Sequence, residues 1–257
     1  MIIKINVLDP DLRRIGLIIY LKLKNYYEHK KGRSFKINIL EQVVLTLFKL
    51  RYGLPDRAME RLFDIDHVTI SRIVLRISDF IATSNLRLSS ANNDLKYYIV
   101  DSTTLRIGKG KNKDSFSGYK HYHGIKLQLL INDKSQIETV SNPYPASFHD
   151  KRIFLKEWNN INHRINNKLR IIGDKAYIGL KNYNLSVPIK KNELPYKNNK
   201  EKTKQDNKSL SSKRIKIEHV FAYIKKYRIL NFNFYYKIQK LELFFKAIAN
   251  LFNLSKL

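Results

Sequence analysis

The sequence predicts an α+β protein: an all-α region followed by a mixed sheet flanked by helices. Three observations predict it. Residues 39–82 place apolar side chains at helical spacing. From residue 97 the pattern changes to short runs with strand-like alternation. Between them, residues 83–95 are polar and short of apolar side chains, which marks a boundary. The expected domains are residues 1–92 and residues 93–257, the second with a basic loop at about 188–212.

The elements follow in order. Residues 9–31 form a helix, with Asp9 as cap, Pro10 at its first position and Ile15, Ile18, Ile19 and Leu23 as its stripe. The basic loop Lys30–Ser34 ends it, as a solvated helix end or a phosphate contact. Three helices follow. The first carries Val43, Val44, Leu47 and Leu50 and stops at Gly53; the second opens at Pro55; Asp66 caps the third, with Ile70, Ile73, Val74 and Ile77 as its stripe. Short helix, brief turn, second helix is the helix-turn-helix pattern, in which the second helix enters the DNA major groove. His67, Thr69, Ser71 and Arg72 would face the DNA. A plain three-helix bundle has the same spacing.

Residues 97–101 read as a buried strand that ends on Asp101, and a Gly-Lys loop follows at 108–113 without the full P-loop pattern. Residues 120–131 read as a half-buried strand, with Ile125, Leu127 and Leu129 inward against Lys126 and Gln128. Residues 132–135 turn into a strand over 137–140. His149 and Asp150 open a helix through Trp158, and a strand at 169–172 runs into Gly173-Asp174. Antiparallel strands, a helix and a further strand are an α+β order. Residues 188–216 contain ten Lys/Arg, three Asp/Glu and little to bury, so they read as a loop or partly disordered arm. A helix from about Ser212 to Lys226 and an amphipathic helix over 238–254 complete the chain.

Composition narrows the function. The 257 residues carry 49 Lys plus Arg against 22 Asp plus Glu, a formal net charge of +27. Such self-repulsion opposes folding unless a polyanion relieves it. Nucleic acid is the simplest partner, and an anionic membrane surface is the alternative. A biased genome, rich in Lys, Asn and Ile codons, also contributes to such a composition. The absence of cysteine excludes a disulfide framework, a thiolate metal site and a Cys nucleophile. No run of eighteen apolar residues suits a membrane helix, and the N-terminus lacks a signal-peptide shape. A cytoplasmic, nucleoid-associated protein is expected.

Three carboxylates carry the chemistry. Asp101 and Asp174 end strands, and Glu218 lies on the helix after the basic stretch. Arg214, Glu218 and Lys225 fall in one narrow stripe beside that helix's apolar face. An Arg214–Glu218 pair four residues apart explains part of this by itself. Two strand ends and a helix can also converge on one site. Carboxylates are the hard oxygen ligands that magnesium requires, and paired magnesium ions about 4 Å apart serve phosphodiester chemistry.

Four motifs occur in order: Val100-Asp101-Ser102-Thr103; Pro143-Tyr-Pro-Ala-Ser-Phe-His149-Asp150; Gly173-Asp174-Lys-Ala-Tyr177; and Arg214, Glu218 and Lys225 with three and six residues between them. Upstream stands KGRSFKINILEQVVLTLFKLRYG, with LFDIDHVTISRIV after it. From about residue 33 to the end, the chain resembles DDE transposases of bacterial insertion sequences, in the group related to Harbinger-type endonucleases. Ser211 stands where fuller signatures have Tyr, and Pro-Ala-Ser where Gly is usual.

The resemblance implies an RNase H-like catalytic core after a helix-turn-helix domain. It implies Mg2+ (or Mn2+) held by Asp101, Asp174 and Glu218, and cutting and joining of double-stranded DNA at terminal inverted repeats. It also implies Arg214 and Lys225 on phosphates, and a homodimer in the synaptic complex. His149 and Asp150 start a helix, as a helix N-terminal charge and a packed His or as support for the metal ligands; Tyr177 would share that supporting role, and Asp150 is the alternative to Asp174 as second ligand. A nuclease without strand transfer, or a DNA-binding derivative without catalysis, fits the same charge and helix-turn-helix.

Overall fold

The computed structural model describes residues 4–28, 37–84, 95–108, 115–118, 120–230 and 238–256. The loop expected at 30–34, most of the boundary at 83–95 and most of the Gly-Lys loop lie outside these residues. The chain divides into two compact units, Met1–Arg87 with Ile224–Leu257, and Leu88–Tyr223.

The first unit is helical. Helix α1 (Pro10–Glu28) starts where Asp9 Oδ1 accepts from Leu12 N at 3.0 Å. Helix α2 (Ile39–Tyr52) opens with a reciprocal capping box: Asn38 accepts from Glu41 N, and Glu41 accepts from Asn38 N. It ends at Gly53 in the left-handed region, φ 65°. Helix α3 (Asp56–Phe63) is tied to α2 by the buried Lys49, whose ammonium meets Asp56 Oδ1 at 2.8 Å. Asp64 at φ 52° turns the chain, and α4 (His67–Thr83) starts on Asp66, which accepts from Val68 N and Thr69 N. Helices α3 and α4 form the expected helix–turn–helix.

The last helix, α8 (Ile238–Ser255), was expected with residues 93–257. It belongs instead to this first unit, packing mainly on α4 and also on α1. Its stripe of Leu241, Phe244, Phe245, Ile248 and Leu251 is fully buried, and Asn250 Nδ2 donates to the end of α4 at Ile81 O, 2.7 Å. Burial of one amphipathic face decides where such a helix goes, irrespective of its place in the sequence.

Among the described residues, the second unit is built on a seven-stranded mixed sheet. Its strands are β1 (Tyr97–Arg106), β2 (Phe116–Ser117), β3 (Tyr122–Asn132), β4 (Ile137–Val140), β5 (Tyr144–Pro145), β6 (Arg170–Ile172) and β7 (Leu185–Ser186). The order is β2-β3-β1-β6-β7, with β4 and β5 also pairing with β3. Strands β1 and β3 are antiparallel from Tyr98↔Asn132 to Arg106↔Gly124; β6 is parallel to β1, and β7 is parallel to β6. Helix α5 (Asp150–Asn162) covers one face, where Tyr98, Val100, Leu130, Phe154, Ile161, Ile171 and Tyr177 form one core.

Two expectations change here. The first strand does not stop at Asp101 but continues to Arg106, because β3 pairs with it throughout and Thr103 and Thr104 are buried. The basic stretch is not a loop. Helix α6 (Leu194–Asn198) and helix α7 (Lys200–Lys225) occupy it, so the helix expected from Ser212 starts twelve residues earlier. No Gly or Pro interrupts residues 200–225, and Lys, Glu and Gln are good helix formers. Asn199 Oδ1 accepts from Lys202 N, and Asn207 exchanges two hydrogen bonds, both 2.9 Å, with the backbone of Ile189.

Gly53 provides a test of the helical unit. A Cβ at this left-handed position would lie 2.8 Å from the Arg228 backbone. Gly53→Ala is expected to lower unfolding free energy by more than about 1 kcal/mol, read by urea denaturation.

Candidate active site

The site grows out of a difference in strand length. Strand β6 accompanies β1 only along Tyr97–Ile99, and the last pair is Ile99↔Ile172. Asp101 and Asp174 each lie two residues past that pair. In parallel extended chains this puts both carboxylates at one level and on one face. Beyond Ile99, β1 is carried on by β3 alone, with Asp101 opposite Leu129.

Asp101 is largely buried, with its side chain 17% exposed. Its Oδ1 accepts from Ser102 N at 2.8 Å, and its Oδ2 meets Arg214 Nη2 of α7 at 3.2 Å. Burial pushes its carboxyl above the usual range; Ser102 N–H and the Arg214 guanidinium oppose this, and the charge of Asp174 reinforces it. Asp174 caps a one-turn 3-10 helix, Lys175–Tyr177, by accepting from Ala176 N at 2.8 Å. Gly173 precedes it because a Cβ there would lie 2.9 Å from the Tyr177 ring. Arg214 Nε is buried with no hydrogen-bond partner.

The opposite face of the sheet carries the support. Tyr177 is fully buried, and its hydroxyl lies 2.9 Å from Gln128 Nε2 and 3.3 Å from Ser102 Oγ. Burial pushes its phenol well up; the charge of Asp150 adds to this, the Ser102 hydrogen bond opposes it, and the charges of Asp101 and Asp174 add less. Asp150, the first residue of α5, pairs with Lys126 Nζ at 3.0 Å. His149 is exposed and its side chain makes no capping bond.

The charges of Asp101, Asp150 and Asp174 thus all act on Tyr177, that of Asp174 acts on Asp101, and Arg214 is against Asp101. Glu218 stands apart: it is exposed on α7, one turn beyond Arg214. Lys225 is exposed in the last turn of α7. Among the described residues, the acidic or imidazole side chains that bring three ligand atoms within 4.8 Å of one another are Glu60, Asp66 and His67, not Asp101, Asp174 and Glu218. His67 Nδ1 is 3.2 Å from Glu60 Oε2 and 3.6 Å from Asp66 Oδ2, at the start of α4. Thr69 and Arg72 are exposed and Ser71 is half-buried on that helix, away from the buried Ile70, Ile73, Val74 and Ile77.

Gln128 is the residue the sequence reading misplaced. Alternation put it on the outer face with Lys126, but it is 3% exposed. Leu127, Leu129, Leu130 and Ile131 around it are all buried. A nearly continuous apolar run signals a strand covered on both faces, and Gln128 interrupts such a run.

Residues 100–253 match the family described as DDE superfamily endonuclease, and residues 35–85 match the helix-turn-helix of DDE superfamily endonuclease. The second match ends with α4; the first includes α8, which follows the order of the chain and not its contacts. A probable transposase for insertion sequence element IS702 from Microchaete diplosiphon is 26% identical over 251 residues, 92% of this chain and 88% of the relative. No solved structure matches. The chain belongs to the DDE superfamily endonucleases, as a transposase-family protein with an amino-terminal helix-turn-helix.

Proposed function

We propose that the protein is a transposase that binds the terminal inverted repeats of its element and cuts and joins DNA strands there. The observation that carries this reading is the placement of Asp101 and Asp174 two residues past the same strand pair, with Arg214 against Asp101. A mixed sheet in which the antiparallel pairs gather on β3 and the parallel pairs run from β1 through β6 to β7 supports an RNase H-like core.

The donor set fits a divalent cation. Both aspartates offer hard oxygens, and a buried carboxylate pushed up by burial and a second carboxylate is a place where a cation relieves both charges. Asp101 and Asp174 would hold Mg2+ or Mn2+, and Glu218 would complete the set from α7. When bound, the metal activates the attacking hydroxyl and stabilises the leaving oxygen. Arg214 uses one donor on Asp101, and its guanidinium would hold a DNA phosphate as a cation. Lys225 adds a cation to the DNA backbone. His67, Thr69, Ser71 and Arg72 meet the repeat in the major groove. His149 and Asp150, at the start of α5, would support the metal ligands indirectly. A homodimer pairs two element ends on the nucleoid. A DNA-binding derivative without catalysis is the second reading, favoured by the exposure of Glu218.

Three outcomes test this. On a duplex bearing the element's terminal repeat with Mg2+, the wild type nicks at the repeat boundary. Glu218→Gln binds equally and cuts at least about 100-fold more slowly. Equal cutting by both makes Glu218 a helix surface residue, and binding without cutting by the wild type supports the second reading. Arg72→Ala weakens binding to the repeat by about 1–3 kcal/mol more than binding to random DNA, read by fluorescence anisotropy.

The third outcome concerns pH. Asp101 has a folded-state pKa above its unfolded one. Its contribution to stability is therefore present below the ordinary carboxylate range and is lost as pH rises through the raised value. Metal binding needs the ionised form, so protons compete with metal as pH falls through that value. Mn2+ should raise the melting temperature at pH above the raised Asp101 value and progressively less as pH falls through it, and Asp101→Asn should abolish the Mn2+ effect.

A further inference from the structure

We propose that Gln128 is a positioning residue that sets Asp101 and Asp174 relative to each other, acting from the reverse face of the sheet. The inference rests on the cleavage function proposed above. Ser102 and Gln128 are directly opposite in the β1–β3 ladder. Alternation turns both side chains away from the face that holds Asp101.

One carboxamide nitrogen there meets three segments. Gln128 Nε2 donates to Tyr177 OH at 2.9 Å, to Asp150 O at 3.1 Å and, more weakly, to Ser102 Oγ at 3.4 Å. Tyr177 ends the turn capped by Asp174, and Asp150 begins α5. Ser102 follows Asp101, and its N–H holds Asp101 Oδ1. The side chain thus links the segments that carry all three aspartates. Its own backbone is pinned, because Gln128 N donates to Ser141 Oγ at 2.8 Å and Gln128 O accepts from Ser141 N at 2.9 Å.

The orientation of the amide is fixed by chemistry. The Asp150 carbonyl only accepts, so the nitrogen and not the oxygen must face it. Gln128 Oε1 is then buried without a hydrogen-bond partner. A cost of this kind is retained where the donor side is required. Apolar packing of the same volume would fill the space but leave the Tyr177 hydroxyl, the Asp150 carbonyl and the Ser102 hydroxyl without their shared donor. Small displacements of ligands that must act together are amplified in rate, about 100-fold for 1 Å.

The test uses the full chain with Gln128→Met, which keeps the volume and removes the donor, and Tyr177→Phe, which removes only the hydroxyl that receives it. Mn2+ binding is read by loss of the free-ion electron paramagnetic resonance signal, and single-turnover nicking is read across Mn2+ concentration. Both variants should bind the terminal-repeat duplex like the wild type. Both should need about 10-fold more Mn2+ for half-saturation. Excess Mn2+ should restore much of the nicking rate. The double variant should be no worse than the weaker single one, because both remove one link.

A folded Gln128→Met protein with an unchanged Mn2+ titration and unchanged rate overturns the proposal and leaves the cleavage reading standing. If Gln128→Met fails to fold, Tyr177→Phe decides in the same way. If the wild type does not cut, the cleavage reading fails, and the Mn2+ titration against Asp101→Asn still decides the role of Gln128. If the wild type takes up no Mn2+ that Asp101→Asn loses, both fall.

Discussion

Pairing between β1 and its two neighbours is the constraint on which the candidate site depends. On one side β3 follows β1 for its whole length; on the other β6 leaves after Ile99↔Ile172. Where β6 leaves, the sheet has an open step. Two chain segments emerge from it in the same direction, each with an aspartate two residues on. A one-residue slip would turn one carboxylate to the other face. The buried isoleucines Ile99, Ile171 and Ile172 secure the register, so the placement of the acids is enforced by apolar packing and not by attraction between them.

Attraction would in fact be absent, since Asp101 and Asp174 repel. The structure offsets that repulsion with Arg214 from α7, with N–H donors from Ser102 and Ala176, and with a buried neutral phenol behind them. Arg214 is delivered by the long helix that also carries Glu218. The first half of the same helix is rich in lysine. A surplus of +27 charges is costly in isolation and matches a polyanionic partner. The charge surplus and the helix-turn-helix both suit a nucleic-acid partner.

Much of this was legible in the sequence, and the residues show why. Caps and stripes placed α2, α3 and α4 because Asn38, Gly53 and Asp66 act locally on the helices they bound. Asp101 and Asp174 stood out because each interrupts a β-branched run. The extent of β1 was not legible, because what carries it to Arg106 is pairing with β3, a partner distant in the sequence. Helix α7 was hidden by its charge, which reads like a solvated loop until the absence of Gly and Pro is weighed. Gln128 was lost to a two-residue alternation that fails in a strand whose consecutive residues are all buried. The place of α8 depends on a long-range contact with α4 that no local pattern encodes.

The most direct measurement is anomalous diffraction from crystals grown with Mn2+ and a duplex carrying the element's terminal repeat. The account predicts manganese peaks on the Asp101 and Asp174 carboxylates, with Glu218 turned toward them and a DNA phosphate on Arg214. Manganese confined to Glu60, Asp66 and His67, with Arg214 still paired to Asp101 and the DNA end elsewhere, would contradict it.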